Sequence, residues 1–278
     1  MNKQRIPLAG VIGNPVEHSK SPTLHGYWLK AMGIRGFYIP MRVERENLQS
    51  VIETLPEMGF VGLNVTIPHK EAVLQLADLV TDRAALMGAA NTLIFREDGK
   101  IHADNTDGYG FLENLRQGAP GWNPKAGPAA VFGAGGAARA VLASLIEVGV
   151  EEIRLSNRTR ARSDALRAEF GSKINVVDWV KAGNMLDGAA TVVNTTSLGM
   201  TGKPEFRVPL DGLMPGAVVT DLVYTPLQTT FLKKAAAAGC VTVDGLGMLL
   251  HQATPGFERW FGQRPVVDEA ARAAVLEA

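Results

Sequence analysis

The sequence predicts an α/β protein built from two α/β domains with a cleft between them. Strand-like apolar runs alternate with helix-like segments along the chain. A loop rich in glycine and proline at 117–124 divides this alternation into two parts. A glycine-rich turn follows a buried strand near residue 133, which is typical of a Rossmann-type, doubly wound nucleotide-binding domain. We therefore expect a first domain of 1–107 plus 246–278 and a nucleotide-binding domain of 108–245.

The first domain is expected to open with an apolar strand at 8–12 and a helix that begins at Ser21. Ser21 is a suitable N-cap, Pro22 suits the first helical position, and Gly33 suits the end of the helix. Apolar periodicity and turn residues predict the rest of this domain. These elements are a strand at 37–43, a helix at 47–55, a strand at 61–67, helices at 70–76 and 81–87, a hairpin of 92–95 and 100–103, and a helix at 107–116.

The second domain is expected to alternate strands and helices in a doubly wound manner. Its predicted strands are 129–132, 153–156, 175–177, 191–194, 218–222 and 241–243. Cys240 stands before the last of these and is expected to be a small buried core residue. The final helix should begin near Gly245, and Pro255-Gly256 should kink or interrupt it.

The glycine turn predicts a dinucleotide ligand. It reads Gly133-Ala134-Gly135-Gly136-Ala137, with Ala138 at the third position of the dinucleotide-binding fingerprint. Gly133 and Gly135 allow a tight turn and a close approach of the backbone to a pyrophosphate. The N-terminus of the helix that follows offers unpaired N–H groups to the phosphates.

The next strand end predicts which dinucleotide binds. Roughly twenty residues after the turn, NAD-binding proteins usually carry an acid for the ribose 2′-hydroxyl. This chain has Asn157-Arg158-Thr159-Arg160-Ala161-Arg162 there, without an acid. A guanidinium group binds phosphate in a bidentate manner and keeps its charge. Both features favour the 2′-phosphate, so NADP(H) is the expected cofactor.

The composition excludes several classes of protein. The 278 residues carry 28 Lys+Arg and 28 Asp+Glu, which gives no charge excess for a nucleic acid or a membrane surface. The single cysteine, Cys240, excludes an intrachain disulfide, and no metal site is expected. No apolar stretch approaches the roughly 18 residues of a membrane span, and 1–7 has no signal-peptide run. We expect a cytoplasmic monomer or homodimer that binds a small-molecule substrate.

Two polar clusters of the first domain carry candidate binding and catalytic groups. Ser19 and Ser21 stand at a helix start, where their hydroxyls could reach a carboxylate, although helix capping alone would explain Ser21. Asn64 and Thr66 share one side of a strand, and Lys70 opens the next predicted helix. A lysine in a first turn opposes the helix dipole, which suggests a use, although a solvated lysine is the commoner outcome.

A third polar cluster lies at 103–108, with Asn91 upstream. Asp104, Thr106 or Asp107 could each be a helix cap, so capping explains this cluster as well as chemistry does.

In this order, the clusters and the glycine turn resemble the shikimate dehydrogenase family over essentially the whole chain. The motifs that carry the resemblance are Gly13-Asn14-Pro15-x-x-His18-Ser19-x-Ser21-Pro22, Asn64-Val65-Thr66-x-Pro68-x-Lys70, Gly88-Ala89-x-Asn91-Thr92, Asp104-Asn105-Thr106-Asp107-Gly108, Gly133-Ala134-Gly135-Gly136-Ala137, Asn157-Arg158-Thr159-x-x-Arg162, Asn194-Thr195-Thr196-x-x-Gly199-Met200 and Asp244-Gly245-x-Gly247-Met248-x-x-x-Gln252.

The resemblance implies a reaction, the reversible NADPH-dependent reduction of 3-dehydroshikimate to shikimate in aromatic biosynthesis. It implies that Lys70 and Asp107 are the catalytic pair. The residues it implies for substrate binding are Ser19, Ser21, Thr66, Asn91, Tyr224 and Gln252. Those it implies for cofactor binding are Gly133, Ala134, Gly135, Gly136, Ala137, Asn157, Arg158, Thr159, Arg162, Leu222, Gly245, Met248 and Asp82.

Two alternatives remain open from the sequence. One is a sister enzyme that oxidises quinate, or both quinate and shikimate, with NAD. The arginines at 158 and 162 argue against NAD, and the Ser19-x-Ser21 pair argues against quinate, whose extra hydroxyl needs room. The other is a non-catalytic sensor that binds NADP and a small acid. Lys70 and Asp107 argue against it, because a sensor needs no acid/base pair.

Overall fold

The computed structural model of the chain describes residues 6–277. Residues 1–5 and 278 lie outside the described residues. They include most of the segment 1–7, for which no signal peptide was predicted. The chain divides into two compact units: residues up to Asp107 together with those from Leu250 onward, and the segment Gly108–Leu249. The second domain boundary was expected at residue 246, where the helix Leu246–Phe261 begins. The division between the units falls inside that helix, after Leu249.

Strands and helices alternate through both units. In chain order the described elements are β1 (Leu8–Gly13), α1 (Ser21–Ala31), β2 (Phe37–Arg42), α2 (Leu48–Thr54), β3 (Phe60–Val65), β4 (Leu79–Val80), α3 (Asp82–Met87), β5 (Thr92–Phe95), β6 (Ile101–Asp104), α4 (Asp107–Gly118), β7 (Ala129–Phe132), α5 (Gly136–Glu147), β8 (Ile153–Ser156), α6 (Arg160–Phe170), β9 (Ile174–Val176), β10 (Thr191–Asn194), β11 (Val218–Asp221), α7 (Thr230–Ala237), β12 (Val241–Val243), α8 (Leu246–Phe261) and α9 (Glu269–Leu276). Short 3-10 helices lie at Arg45–Asn47, Ala72–Leu76 and Trp179–Leu186.

The first unit contains a mixed six-stranded sheet in the order β2-β1-β3-β5-β6-β4. β1 pairs in parallel with β2 and β3, whereas β5 pairs antiparallel with β3 and β6. In that register Thr92 lies opposite Asn64. Asn91, whose carbonyl accepts from the Val65 amide at 2.9 Å, therefore lies beside the carboxyl end of β3. The sheet thus brings two of the predicted polar clusters to one edge.

The second unit contains a six-stranded, all-parallel sheet in the order β12-β11-β10-β7-β8-β9. This is the Rossmann strand order, and it reverses between β7 and β10. In open α/β sheets, ligands bind outside the carboxyl ends of the strands at such a switch point. The predicted fold class, two α/β sheets with the second of Rossmann type, is therefore confirmed.

Several local predictions are wrong. Ser21 is not the N-cap of α1; that residue is Lys20, and Ser21 is the first residue of the helix. The helix predicted at 70–76 is a short 3-10 helix that begins at Ala72, because the chain turns at once into the sheet, where the Asp78 amide donates to the Ile101 carbonyl at 2.9 Å. Lys70 precedes that turn, so the argument from the helix dipole does not apply to it.

The prediction for Cys240 is also wrong. Cys240 is only partly buried and precedes β12, which is an edge strand of its sheet, where Val241 is 42% exposed. Its thiol donates to the Met214 carbonyl at 3.4 Å.

Pro255 does not interrupt the final helix, because α8 is continuous from Leu246 to Phe261. A proline inside a helix leaves the carbonyl four residues earlier without its usual N–H partner. Here that carbonyl belongs to His251, and the Thr254 hydroxyl donates to it at 3.0 Å. Within residues 6–277, no helix has both the length and the apolar character that a membrane crossing requires.

Candidate active site

A lysine and a carboxylate form an ion pair in the first unit. Nζ of Lys70 donates to Oδ2 of Asp107 at 2.8 Å. Both side chains are partly buried, with 30% of Lys70 and 19% of Asp107 exposed. Asp107 opens α4, where the helix dipole favours a negative charge, and its amide donates to Oδ1 of Asn105 at 3.0 Å. Asn105, rather than any of the residues proposed from the sequence, therefore supplies this side-chain contact at the helix start.

Asn91 fixes the orientation of that carboxylate. Its Oδ1 accepts from the Thr106 amide at 2.9 Å, and because an amide N–H can only donate, the side chain has one possible orientation. Its Nδ2 then donates to Oδ1 of Asp107 at 2.8 Å and to Oε1 of Gln252 at 3.2 Å. Four predicted site residues of the first unit, Lys70, Asn91, Asp107 and Gln252, therefore lie in one hydrogen-bonded group.

The hydrogen bonds continue through buried side chains to β2. The Thr92 hydroxyl donates to Oδ1 of Asn91 at 2.9 Å, and Nδ2 of Asn64 donates to the Thr92 hydroxyl at 3.3 Å. The Tyr38 hydroxyl donates to Oδ1 of Asn64 at 2.7 Å. Burial holds the pKa of Tyr38 well above its ordinary value, and the nearby Ser21 side chain acts in the opposite direction. One network of hydrogen bonds thus joins Tyr38 to the ion pair.

Tyr38 was not predicted from the sequence to be part of the site. A signal was present in β2, where Tyr38 is the buried residue among exposed neighbours such as Phe37 and Ile39. Alternation along an edge strand marks an inward-facing residue. It does not tell which partner the tyrosine hydroxyl meets.

The remaining predicted residues of the first unit lie in three places. The amide of buried Ser21 donates to Oγ of Ser19 at 3.3 Å, so Ser19 stabilises the helix start and the Ser21 hydroxyl does not. Thr66 follows β3, and its amide donates to the Ile12 carbonyl at 2.9 Å. Asp82 is exposed in the first turn of α3, a position that the helix dipole favours for any acid.

Asp104 has a structural partner. Nε of Arg83 donates to its Oδ1 at 2.6 Å, and the Thr81 hydroxyl donates to the same oxygen at 2.8 Å. Burial alone would raise the pKa of Asp104, but the hydrogen bonds from Arg83 and Thr81 outweigh burial and hold it below its usual range. Asp104 therefore ties α3 to β6.

His25 lies behind Tyr38 and is fully buried. Its ring stacks on the Tyr38 ring with centroids 3.9 Å apart, and Trp28 and Phe257 pack against it as well. Within the described residues, neither ring nitrogen has a hydrogen-bond partner. Burial lowers the pKa of His25 to about 3, so the ring is neutral near pH 7.

We expect His25 to make the protein sensitive to acid. His25 binds a proton near pH 6.5 in the unfolded chain but only near pH 3 in the folded chain. The stability that the neutral ring contributes is therefore fully present above pH 6.5 and is lost as the pH falls towards 3. In that window, the free energy of unfolding should fall by about 1.4 kcal/mol per pH unit because of this residue. Urea unfolding between pH 4.5 and 7 should show a flatter curve for His25→Phe. His18→Phe, which changes an exposed ring, is the control, and parallel curves for His25→Phe and wild type would contradict the expectation.

In the second unit, the predicted glycine turn lies at the switch point of the sheet. Gly133 follows β7 with φ of 109°, and a Cβ there would lie 2.4 Å from Oγ1 of Thr195, which follows β10. Gly135 is the N-cap of α5 with no side-chain cap, and both Gly135 and Gly136 are exposed. Ala138 is fully buried, which allows α5 to pack closely on the sheet. The first amides of α5 are thus available to an anion.

The arginines that follow β8 differ in their partners. Arg160 pairs with Asp178 and Asp164, and the hydrogen bond that it donates to Asp178 raises its pKa. Arg158 and Arg162 are exposed, and neither forms an ion pair within residues 6–277. Their neighbours complete the turn, because Nδ2 of Asn157 donates to the Thr159 carbonyl at 3.0 Å. The segment therefore offers two unengaged guanidinium groups beside the glycine turn.

Two further loops of this unit meet at Gly245. A Cβ on Gly245 would lie 2.4 Å from the Leu222 carbonyl oxygen, so only glycine allows this approach. Met248 is partly buried against the core of the unit. Tyr224 is partly buried, and burial raises its pKa. The structure thus brings Leu222 and Gly245 together at the carboxyl edge of the parallel sheet.

Units with this strand order and glycine turn bind dinucleotides, and a lysine held against a carboxylate suits proton transfer to a carbonyl oxygen. The class is an NAD(P)-dependent oxidoreductase. Family models match three parts of the chain: the shikimate dehydrogenase substrate binding domain at 11–93, shikimate / quinate 5-dehydrogenase at 123–200, and the shikimate 5′-dehydrogenase C-terminal domain at 245–276. The chain belongs to the shikimate dehydrogenase (NADP(+)) family.

Known relatives match the whole chain. A shikimate dehydrogenase (NADP(+)) of Cereibacter sphaeroides is 74% identical over 98% of each chain. The solved quinate dehydrogenase of Corynebacterium glutamicum in complex with NAD has a TM-score of 0.91 at 31% identity, over 98% of this chain and 99% of that one. The shikimate 5-dehydrogenase of Thermus thermophilus in complex with NADP(H) and shikimate has a TM-score of 0.83 at 38% identity, over 97% and 99%.

Proposed function

We propose that Lys70 and Asp107 catalyse the reaction of this family in the chain, the reversible reduction of 3-dehydroshikimate to shikimate with NADPH. The observation that carries the proposal is the ion pair, with Lys70 and Asp107 joined at 2.8 Å and the carboxylate oriented by Asn91. A carbonyl that receives a hydride develops negative charge on its oxygen. Lys70 would stabilise that charge and transfer a proton to the oxygen, and in the oxidation direction it would take the proton back.

Asp107 would act through Lys70 and through the substrate. Its Oδ2 holds the ammonium group, which keeps the donor in one place. The rest of the carboxylate could accept from a substrate hydroxyl, since a carboxylate has room for about four hydrogen bonds. Lys70 is 30% exposed, so water can return the proton that each reduction consumes.

NADPH, when bound, supplies the hydride. We propose that the glycine turn binds its pyrophosphate and that Arg158 and Arg162 bind its 2′-phosphate. The exposed glycines and the uncapped start of α5 support the first assignment, and the unpaired guanidinium groups support the second. The adenosine half of NADPH would also contact Asn157 and Thr159. The nicotinamide half would lie against Leu222, Gly245 and Met248. Asp82 has the least support, because the dipole of α3 explains its position.

We propose that the substrate carboxylate binds to Ser19 and Ser21. Ser21 lies near Tyr38, and the network of hydrogen bonds that joins Tyr38 to Lys70 supports a shared site for the carboxylate and the ketone. Thr66, Asn91 and Gln252 would hold the ring hydroxyls, and Tyr224 would also bind the substrate. Cytoplasmic location and the monomeric or homodimeric state stay predictions.

The test is a steady-state assay with purified protein that follows NADPH absorbance. We expect fast turnover of 3-dehydroshikimate with NADPH, and of shikimate with NADP⁺. Quinate and NAD⁺ should be poor substrates in every combination. Efficient turnover of quinate with NAD⁺ would identify the sister activity instead. NADPH binding without turnover of any pair would favour a sensor.

Removing the Ser21 hydroxyl should affect binding rather than folding. A hydrogen bond to a charged group contributes about 1.5–3 kcal/mol, so KM for shikimate in Ser21→Ala should rise at least about tenfold. Ser19→Ala is the matched comparison. It should raise KM as well, but it should also lower the free energy of unfolding by about 1 kcal/mol, because Oγ of Ser19 accepts at the helix start. A normal KM for Ser21→Ala would remove this residue from the site.

A further inference from the structure

A buried carboxylate in the second unit has no part in the chemistry described so far. Asp221 ends β11 and is fully buried. Its Oδ1 accepts from Nδ2 of Asn194 at 2.9 Å and from the Val223 amide at 3.0 Å, and its Oδ2 accepts from the Thr229 hydroxyl at 2.7 Å. Three different segments of the chain therefore donate to one side chain.

Each of the two side-chain donors is itself held in place. Asn194 ends β10, and its Oδ1 accepts from the Thr196 amide at 3.0 Å and the Thr196 hydroxyl at 2.7 Å. Thr229 is the N-cap of α7, where its hydroxyl accepts from the Leu232 amide at 3.3 Å. Asp221 thus links a strand end and a helix start to the segment Leu222–Tyr224, which runs between them.

Within residues 6–277 Asp221 has no cationic partner, and burial raises its pKa to about 6 despite the hydrogen bonds. A buried carboxylate without a cation costs free energy near neutral pH. What the carboxylate provides is geometry, since both of its oxygens accept from fixed donors and so hold the backbone of the next residues.

The segment that Asp221 holds is the one that meets Gly245. The close approach of Gly245 to the Leu222 carbonyl leaves little freedom in either loop, with the site of a Cβ only 2.4 Å from that oxygen. A second buried amide supports the same junction, because Nδ2 of Asn114 donates to the Asp244 carbonyl at 2.7 Å. Two buried polar side chains therefore set the relative position of these loops.

We propose that Asp221 is a positioning residue, whose carboxylate fixes the Leu222–Tyr224 segment against which the nicotinamide ring lies. This inference rests on the proposed function, which assigns Leu222 and Gly245 to the nicotinamide side. Asp221 touches neither cofactor nor substrate in this role. It acts through the backbone of Leu222 and Val223, and it does not act on the adenosine half of the cofactor.

The experiment separates the two halves of the cofactor. The ligand 2′,5′-ADP carries the adenosine and the 2′-phosphate but no nicotinamide. In Asp221→Ala its affinity should stay within about twofold of wild type, whereas kcat for 3-dehydroshikimate should fall about 10- to 100-fold, since a misplacement of about 1 Å costs that much. With NADPH deuterated at the transferred position, the isotope effect on kcat should rise. Asp211→Asn, an exposed acid of the same unit, is the control and should match wild type.

Two further variants keep the inference testable if Asp221→Ala fails to fold. Asp221→Asn keeps an oxygen for Asn194 and Val223 and should recover most of the activity. Thr229→Val removes the hydrogen bond to Oδ2 of Asp221 together with a helix cap of about 1 kcal/mol. The folded variant should likewise have a lowered kcat and an unchanged affinity for 2′,5′-ADP.

Two results would overturn the inference. One is a kcat within about twofold of wild type in Asp221→Ala or, where that variant does not fold, in Thr229→Val. The other is an affinity for 2′,5′-ADP that falls as far as that for NADPH, which would show a general structural role. A wild-type protein without turnover would refute the proposed function instead. Binding would still decide on Asp221, because in Asp221→Ala the affinity for NADPH should fall while the affinity for 2′,5′-ADP stays within about twofold of wild type.

Discussion

Lys70→Ala is expected to reduce 3-dehydroshikimate with a kcat about 10²- to 10⁴-fold below that of the wild type, because a general acid contributes that much to a proton transfer. KM should change less. The lysine is held 2.8 Å from the Asp107 carboxylate, so its ammonium group is in place before the ketone gains charge. A group that acts on developing charge raises kcat more than it tightens ground-state binding.

Matched variants distinguish a catalytic role of Lys70 from the mere loss of one positive charge. Lys100→Ala removes an exposed lysine of the same unit and should leave kcat unchanged. Asp107→Ala should also lower kcat, since it leaves the ammonium group without the acceptor that orients it. Because the two residues act as a pair, the double variant should be little worse than the Lys70 variant. An unchanged kcat in Lys70→Ala would remove this residue from the mechanism.

Replacing Arg158 and Arg162 together with glutamine should change the choice of cofactor. Two charge-assisted contacts to the 2′-phosphate would be lost, so KM for NADPH should rise about 100-fold or more, whereas KM for NADH should stay nearly constant. Added salt should weaken NADPH binding in the wild type and have little effect on the double variant, because exposed charges are screened.

The same segment provides the control. Arg160→Gln makes the same substitution between the two positions, but Arg160 is already paired with Asp164 and Asp178. It should therefore leave the ratio of the two KM values unchanged. Equal losses with NADPH and NADH in the Arg158 and Arg162 variant would show that these arginines do not recognise the 2′-phosphate.

Local pattern was sufficient to predict much of the fold. The strands at 129–132, 153–156 and 191–194 were predicted with their observed bounds, since each is a short apolar run followed by glycine or polar residues. The two-residue strand β4 was missed, because two residues carry no detectable alternation. Helix α9 was missed despite a signal, as Asp268 caps it by accepting from the Ala271 amide at 2.8 Å.

Tertiary contacts decided what local pattern could not. Ser21 had the chemistry of an N-cap, but it is the first residue of the helix, and Oγ of Ser19 accepts from its amide. The same applies to Asn105, which supplies the contact at the start of α4. Choosing among neighbouring Ser, Asn and Asp residues requires the backbone angles of the turn, which no periodicity encodes.

The candidate catalytic residues were predicted from the sequence, but the way in which they are held was not. The motifs identified Lys70 and Asp107, whereas the chain of bonds through Tyr38, Asn64 and Thr92 spans strands that are distant in the sequence. Such a network depends on the register of β3 against β5, which places Thr92 opposite Asn64. Sheet register follows from packing of the whole unit and is not visible in either strand alone.

The division of the first unit into two sequence segments has a consequence for biosynthesis. Synthesis reaches Leu249 before it reaches Gln252, Phe257 and Trp260, so the first unit receives its last helices only when the chain is nearly finished, after every residue of Gly108–Leu249 has been added. The late segment is then joined to the early one where the Thr106 hydroxyl donates to the Gln252 carbonyl at 2.8 Å. A chain that ends at residue 249 would therefore contain every residue of Gly108–Leu249 but lack Gln252, which belongs to the hydrogen-bonded group of Lys70 and Asp107.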